Sequence, residues 1–145
     1  MSQLSRNAFR GTDEAFQYDH VSEKIVPQLV QDFLGNDADK QSVPGEFYPP
    51  YLSFMATALM HAEDIETLNL ASKLVDAGVH HYKDQPKIKQ TLEFQKGFLK
   101  DHREVVERFG RYPHRNAKKG RENTPEEQAW LDDVDNLPGW AKSQG

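Results

Sequence analysis

The segment Pro-Lys-Ile-Lys-Gln-Thr-Leu-Glu-Phe-Gln-Lys-Gly-Phe-Leu-Lys-Asp-His-Arg-Glu-Val-Val-Glu-Arg-Phe, residues 86–109, decides the fold. Ile88, Leu92, Gln95, Leu99, His102, Val106 and Phe109 recur at intervals of three and four, with Phe94, Phe98 and Val105 flanking that line. Such spacing brings residues onto one face of an α-helix, whereas a strand requires alternation. It predicts a helix from Lys87 to Phe109, the longest in the chain. Gly110 then closes it as a left-handed residue, and Pro113 prevents resumption for a residue or two.

Downstream the charge reverses. Between Glu107 and Glu122 there is no acid, while Arg108, Arg111, Arg115, Lys118, Lys119 and Arg121 are all cationic and His114 lies among them. The next helix is announced by Thr124 at the N-cap position, Pro125 at the first helical position and Glu127 three residues after the cap, the pattern of a capping box. The basic segment is therefore a loop of about fourteen residues between two marked helices, near the length at which a structureless connection is usually functional or mobile. The remaining tail, 136–145, contains Pro138, Gly139 and Gly145 and is expected to be irregular, with Trp140 the group able to dock it.

Upstream, Ile65, Leu68, Ala71, Leu74 and Val75 predict a helix that stops at Gly78. Before it, Pro49 and Pro50 pre-set the first turn of a helix carrying Tyr51, Leu52, Phe54, Met55, Ala58 and Leu59. This helix is apolar on more than one side, as a central element would be. Almost no linker separates the two, so an antiparallel hairpin is expected. Val21, Ile25, Leu29, Val30 and Phe33 predict a further helix to about Leu34, kinked at Pro27. The polar stretch 35–45 reads as a loop, and Thr12, followed by Asp13 and Glu14, as another helix start. No alternating segment occurs, and the fold class is all-α: one domain over residues 1–145, built of antiparallel hairpins.

Composition narrows the function. With 18 basic and 23 acidic residues the net charge is −5, which argues against a general nucleic-acid binder, since phosphate contacts need a broad basic face. The absence of cysteine removes disulfides and thiolate metal sites. No window approaches eighteen apolar residues and the N-terminus has no apolar signal core, so a soluble cytoplasmic protein without membrane partners is expected.

Three groups are candidates for chemistry. His102 lies on the apolar stripe of the long helix, where a satisfied core histidine is the plainer role. His61, Glu63 and Asp64 crowd the junction of two helices, where an imidazole at one C-terminus and acids at the next N-terminus complement the dipoles. The third group is the basic loop together with Arg6, Asn7 and Arg10. A charge run is usually a solvated face. Arginine and asparagine, however, present planar donor sets suited to carboxylate or phosphate oxygens, and two Arg-Asn pairs stand near helix starts at Thr12 and Thr124. No Gly-rich phosphate loop, nucleophile elbow or His-Glu-x-x-His helix is present.

The runs Arg6-Asn7-Ala8-Phe9-Arg10-Gly11-Thr12, Met60-His61-Ala62-Glu63-Asp64 and Arg108-Phe109-Gly110-Arg111-Tyr112-Pro113-His114-Arg115-Asn116, then Gly120-Arg121-Glu122 and Thr124-Pro125-Glu126-Glu127, closely resemble an uncharacterised bacterial family, domain of unknown function nine-two-four. The resemblance runs from about Gln3 to Leu131. It implies a helical fold similar to tetratricopeptide-repeat proteins and no established activity. Family members commonly carry a helical segment before the Arg-Asn motif, and Ser where this chain has Ala62. A chain lacking that segment would leave Phe9, Phe16 and the helix around Phe54 to be covered by a second copy, so a homo-oligomer is expected.

The expected site is a basic pocket for a small anionic molecule or an acidic peptide, with Arg6, Asn7, Arg10, Glu63, Asp64, Arg111, His114, Arg115 and Asn116 as ligand-binding residues and no metal or cofactor. The alternative is an enzyme in which His61, His102 or His114 acts as general acid or base on an anionic substrate.

Overall fold

The structure, a computed structural model, describes residues 8, 9, 12, 14, 19–35 and 49–142. The α-helices with both ends among the described residues are, in order, α1 (Asp19–Leu34), α2 (Pro49–Met60), α3 (Ile65–His81), α4 (Pro86–Phe109), α5 (Pro125–Asp132) and α6 (Gly139–Lys142). Two short 3-10 turns, Pro113–Arg115 and Ala117–Lys119, lie between α4 and α5. There is no strand among the described residues, so the chain is all-helical as its periodicity requires. The longest helix is α4, from Pro86 to Phe109. Gly110 ends it at φ +69°, its N–H reaching the Val106 carbonyl at 2.8 Å.

The core is the meeting of α2, α3 and α4, with α1 packed on α2 and α3. Leu52, Ala56, Leu68, Ala71, Leu74 and Val75 are wholly buried, and Leu92 and Leu99 bring the apolar stripe of α4 onto them. Burying a leucine side chain contributes about 2 kcal/mol, so this stripe holds the three helices together more than any polar contact does.

Gly78 does not stop α3, which continues to His81. It is buried, and a Cβ there would stand 3.0 Å from Leu92 Cδ1 and 3.1 Å from Leu52 Cδ1. The glycine marks the close approach of three helices, and nothing in the local pattern of α3 distinguishes that role from a cap. Likewise the tail is not irregular through Lys142. Pro138 and Gly139 open α6, Ala141 is buried, and the Trp140 indole stacks on the His102 ring at 3.9 Å and 22°. The aromatic stack and the burial of Ala141 order a segment whose turn-forming residues alone would leave it loose.

Candidate functional site

The site grows from the end of α2. The last carbonyls of a helix have no partner within it. Here the Tyr112 hydroxyl donates to the Met60 carbonyl at 2.7 Å and Arg115 Nη1 donates to the His61 carbonyl at 2.7 Å, both across more than fifty residues of chain. A cation at this position also complements the negative end of the α2 dipole. Tyr112 is fully buried and Arg115 is 1% exposed, the guanidinium lying 4.3 Å from the centre of the Tyr112 ring.

Glu63 stands in the α2–α3 connection and gathers cations from the basic segment. Arg121 holds it with two hydrogen bonds, 2.6 and 3.1 Å, while Lys119 Nζ lies 3.6 Å and Arg115 Nη1 3.9 Å from its oxygens. Burial works to raise the Glu63 pKa, but the Arg121 hydrogen bonds and the charges of Lys119, Arg121 and Arg115 together outweigh it and hold the carboxyl below its ordinary range.

Asp64 takes no part in this group. Its side chain accepts from the Thr67 N–H at 2.7 Å and caps α3.

A second carboxylate, Glu127, is 2% exposed and receives Arg111 through both oxygens, at 2.6 and 2.8 Å. The same carboxylate accepts the Thr124 N–H at 2.7 Å and Asn116 Nδ2 at 3.3 Å, while Thr124 Oγ1 accepts the Glu127 N–H, so the predicted capping box is present. The Arg111 hydrogen bonds are the main reason that the Glu127 pKa falls to about 2, burial opposing them and the Thr124 N–H, the Arg111 charge and Asn116 adding to them. Arg111 Nη2 also donates to the Glu122 carbonyl at 3.0 Å. Because the cap already fills the start of α5, its free N–H groups are less available to an outside anion.

Asn116 is wholly buried and organises the turn: Nδ2 also donates to Asn123 Oδ1 at 2.8 Å, and the Asn116 carbonyl accepts the N–H groups of Lys119 and Arg121. His114 lies beside the rings of Tyr112 and Trp140, at 5.6 and 5.3 Å. His61 is buried and its carbonyl serves Arg115. His102, 5% exposed, places Nδ1 2.8 Å from the Phe98 carbonyl and stacks on Trp140, the arrangement of a core histidine. Arg6, Asn7 and Arg10 lie outside the described residues. Of their motif Thr12 is described, its hydroxyl donating to the Phe9 carbonyl at 2.8 Å and closing a turn.

The structure thus brings together Glu63, Arg111, Arg115 and Asn116 and adds four residues that the expected set omitted: Tyr112, Lys119, Arg121 and Glu127. Arg121 and Lys119 were part of the basic run, so charge alone pointed to them. Glu127 was legible only as a cap. Among the described residues no three His, Asp or Glu side chains gather in a way that would hold a metal ion. No helix among them is long and apolar enough to cross a membrane.

These features define an all-helical domain in which a cation-rich turn is tied to the end of α2 by Tyr112 and Arg115, while the half-buried Glu63 and the buried Glu127 hold its other arginines. The family model for a bacterial protein of unknown function, DUF924, matches residues 1–135, and the chain belongs to that family. No curated protein and no solved structure matches the chain.

Proposed function

We propose that the chain is a binding module, built as a tetratricopeptide-like array of helical hairpins, that takes an anionic group of a small molecule or acidic peptide at the Glu63 corner. The observation that carries this reading is the charge count there: one carboxylate faces Arg115, Lys119 and Arg121. Arg121 engages it directly, but Lys119 stands off at 3.6 Å and is 31% exposed. Its ammonium can turn to an incoming phosphate or carboxylate while Glu63 keeps Arg121 in place. A charge-assisted hydrogen bond to such an anion contributes about 1.5–3 kcal/mol, enough for a weak but specific contact. A cytoplasmic location accords with this reading.

Histidine acid–base chemistry has less support. His102 is committed to the Phe98 carbonyl and the Trp140 ring, and His61 is buried beneath the Arg115 contact.

Thermal unfolding in phosphate, sulfate or citrate, against chloride at equal ionic strength, tests the proposal. An anion at a hundred times its dissociation constant adds about 2.7 kcal/mol to stability. The expected result is stabilisation of the wild type and its loss in Lys119→Ala, whose fold is unchanged. Equal unfolding curves in all four salts would sink it.

A further inference from the structure

The outer surface of α4 carries a pattern that the anion site does not use. Nearly every charged side chain of the helix sits in an ion pair: Lys89 with Glu93, Lys96 with Asp76, Lys100 with Glu104, Arg103 with Glu107 and Arg108 with Glu126, at 2.6 to 3.6 Å. Lys87 and Asp101 are the two charges of α4 outside these pairs. Phe94 lies midway between them, seven residues from each. Seven residues return a helix to nearly the same side, about 20° short of two turns, so Lys87, Phe94 and Asp101 form one stripe. Phe98, one turn beyond Phe94, lies beside it, the rings 5.1 Å apart. Phe94 is 69% and Phe98 38% exposed, and a Cβ added at the neighbouring Gly97 would meet nothing within 4 Å.

Two adjacent phenylalanine rings in solvent, with a glycine beside them, make a surface that a second helix can approach closely. The flank is broadened by α2, which adjoins it where Gln95 Nε2 donates to the Ser53 carbonyl at 2.9 Å and reaches Thr57 Oγ1 at 3.3 Å. Tyr51 and Phe54 of α2 are 62% and 69% exposed. Lys87 and Thr91 also edge a shallow hollow of about 290 Å³ between the starts of α2 and α4.

We propose that this face binds a second copy of the chain, α4 against α4 in antiparallel direction about a two-fold axis at Phe94. Under that axis Lys87 of each copy meets Asp101 of the other, Phe94 meets Phe94, and Thr91 comes opposite Gly97. A parallel pairing in the same register would set lysine against lysine and aspartate against aspartate. The charges therefore select the antiparallel, isologous arrangement. The contact would run along about 21 Å of helix, at 1.5 Å per residue.

Light scattering across low to high micromolar concentrations of the full chain should show the mass rise from 16.6 kDa toward twice that value. Phe94→Glu, at an exposed position, should keep the helical circular dichroism and hold the chain as a monomer. Lys87→Glu alone and Asp101→Lys alone each place like charges together twice by symmetry, and each should weaken the dimer by about tenfold or more. The double variant Lys87→Glu/Asp101→Lys should restore it. A wild type that stays monomeric at high micromolar concentration, leaving the face to some other occupant, would overturn the proposal. So would a Phe94→Glu variant of dimer mass, or a double variant as weak as the single ones.

Discussion

Arg115 and Tyr112 are stacked, guanidinium over ring at 4.3 Å, and donate at 2.7 Å each to the consecutive carbonyls of His61 and Met60. A turn beyond α4 thereby finishes a helix that ended more than fifty residues earlier. Truncating Arg115 removes the cation from the ring, leaves the His61 carbonyl without that donor and opens a void at a position 1% exposed. A lost buried hydrogen bond costs about 1–3 kcal/mol and a core void adds to it. Arg115→Ala is expected to lose about 3 kcal/mol, read as a lower urea midpoint at unchanged slope. Arg115→Lys is expected to recover less than half of it, since an ammonium cannot both stack and reach the carbonyl in the same geometry. A variant within about 0.5 kcal/mol of wild type would contradict this linkage of turn to helix.

The helices were legible because their cause is local. The spacing of Ile88, Leu92, Leu99 and Val106 bounds α4, and Thr124, Pro125 and Glu127 mark the start of α5, each within a few residues. The site was legible only in part. That the Met60–Asp64 and Arg108–Asn116 motifs meet follows from no local rule. Pairing was hidden altogether: Glu63 selects Arg121 across fifty-eight residues, and Glu127 selects Arg111 across sixteen. Asp64, a neighbour of Glu63 with the same charge, caps a helix instead. Charge and sequence distance do not separate those two roles; only the packing of the turn against α2 does.

Acid should expose the Glu127 pair. Its folded pKa is about 2, against 4.5 for an ordinary glutamate. A depressed carboxyl stabilises the folded state fully above the unfolded pKa and loses that contribution as pH falls through the folded one. At 1.36 kcal/mol per unit the stake is about 3 kcal/mol, all present at pH 7 and fading between about 4.5 and 2. Glu63, also lowered, acts in the same direction. Glu127→Gln is expected to be less stable at neutral pH by about this amount and to show a flatter fall on acidification. Denaturant unfolding at a series of pH values measures both. Parallel curves for variant and wild type would mean that Glu127 does not carry this dependence.

Gly78 separates helix preference from packing. Replacing a mid-helix glycine by alanine ordinarily gains about 1 kcal/mol. At Gly78 the new methyl would press on Leu92 and Leu52 at 3.0 and 3.1 Å, and both leucines are almost wholly buried. Overpacking of a tight core costs about 1–3 kcal/mol, which exceeds the gain. Gly78→Ala is expected to lower the thermal midpoint, and Gly78→Val to lower it much further. A Gly78→Ala variant more stable than wild type would show that the leucines yield freely.

Trp140 lies beyond the residues that the family model matches, yet it stacks on His102 and meets Tyr112 and His114 edge-on, at 5.9 and 5.3 Å. Its ring therefore shields two of the candidate histidines and the tyrosine that anchors the turn. An aromatic pair contributes about 0.5–1.5 kcal/mol beyond burial, and truncating a packed tryptophan costs about 3–5 kcal/mol where the surroundings are fully closed. Trp140 is only partly buried, so Trp140→Ala is expected to lose about 2 kcal/mol. The loss should be accompanied by chemical-shift changes at His102 and His114 and none at Leu74, deep in the core. If instead the histidine signals stay in place while stability falls, the tail contributes through Ala141 and the docking of the indole is not its source.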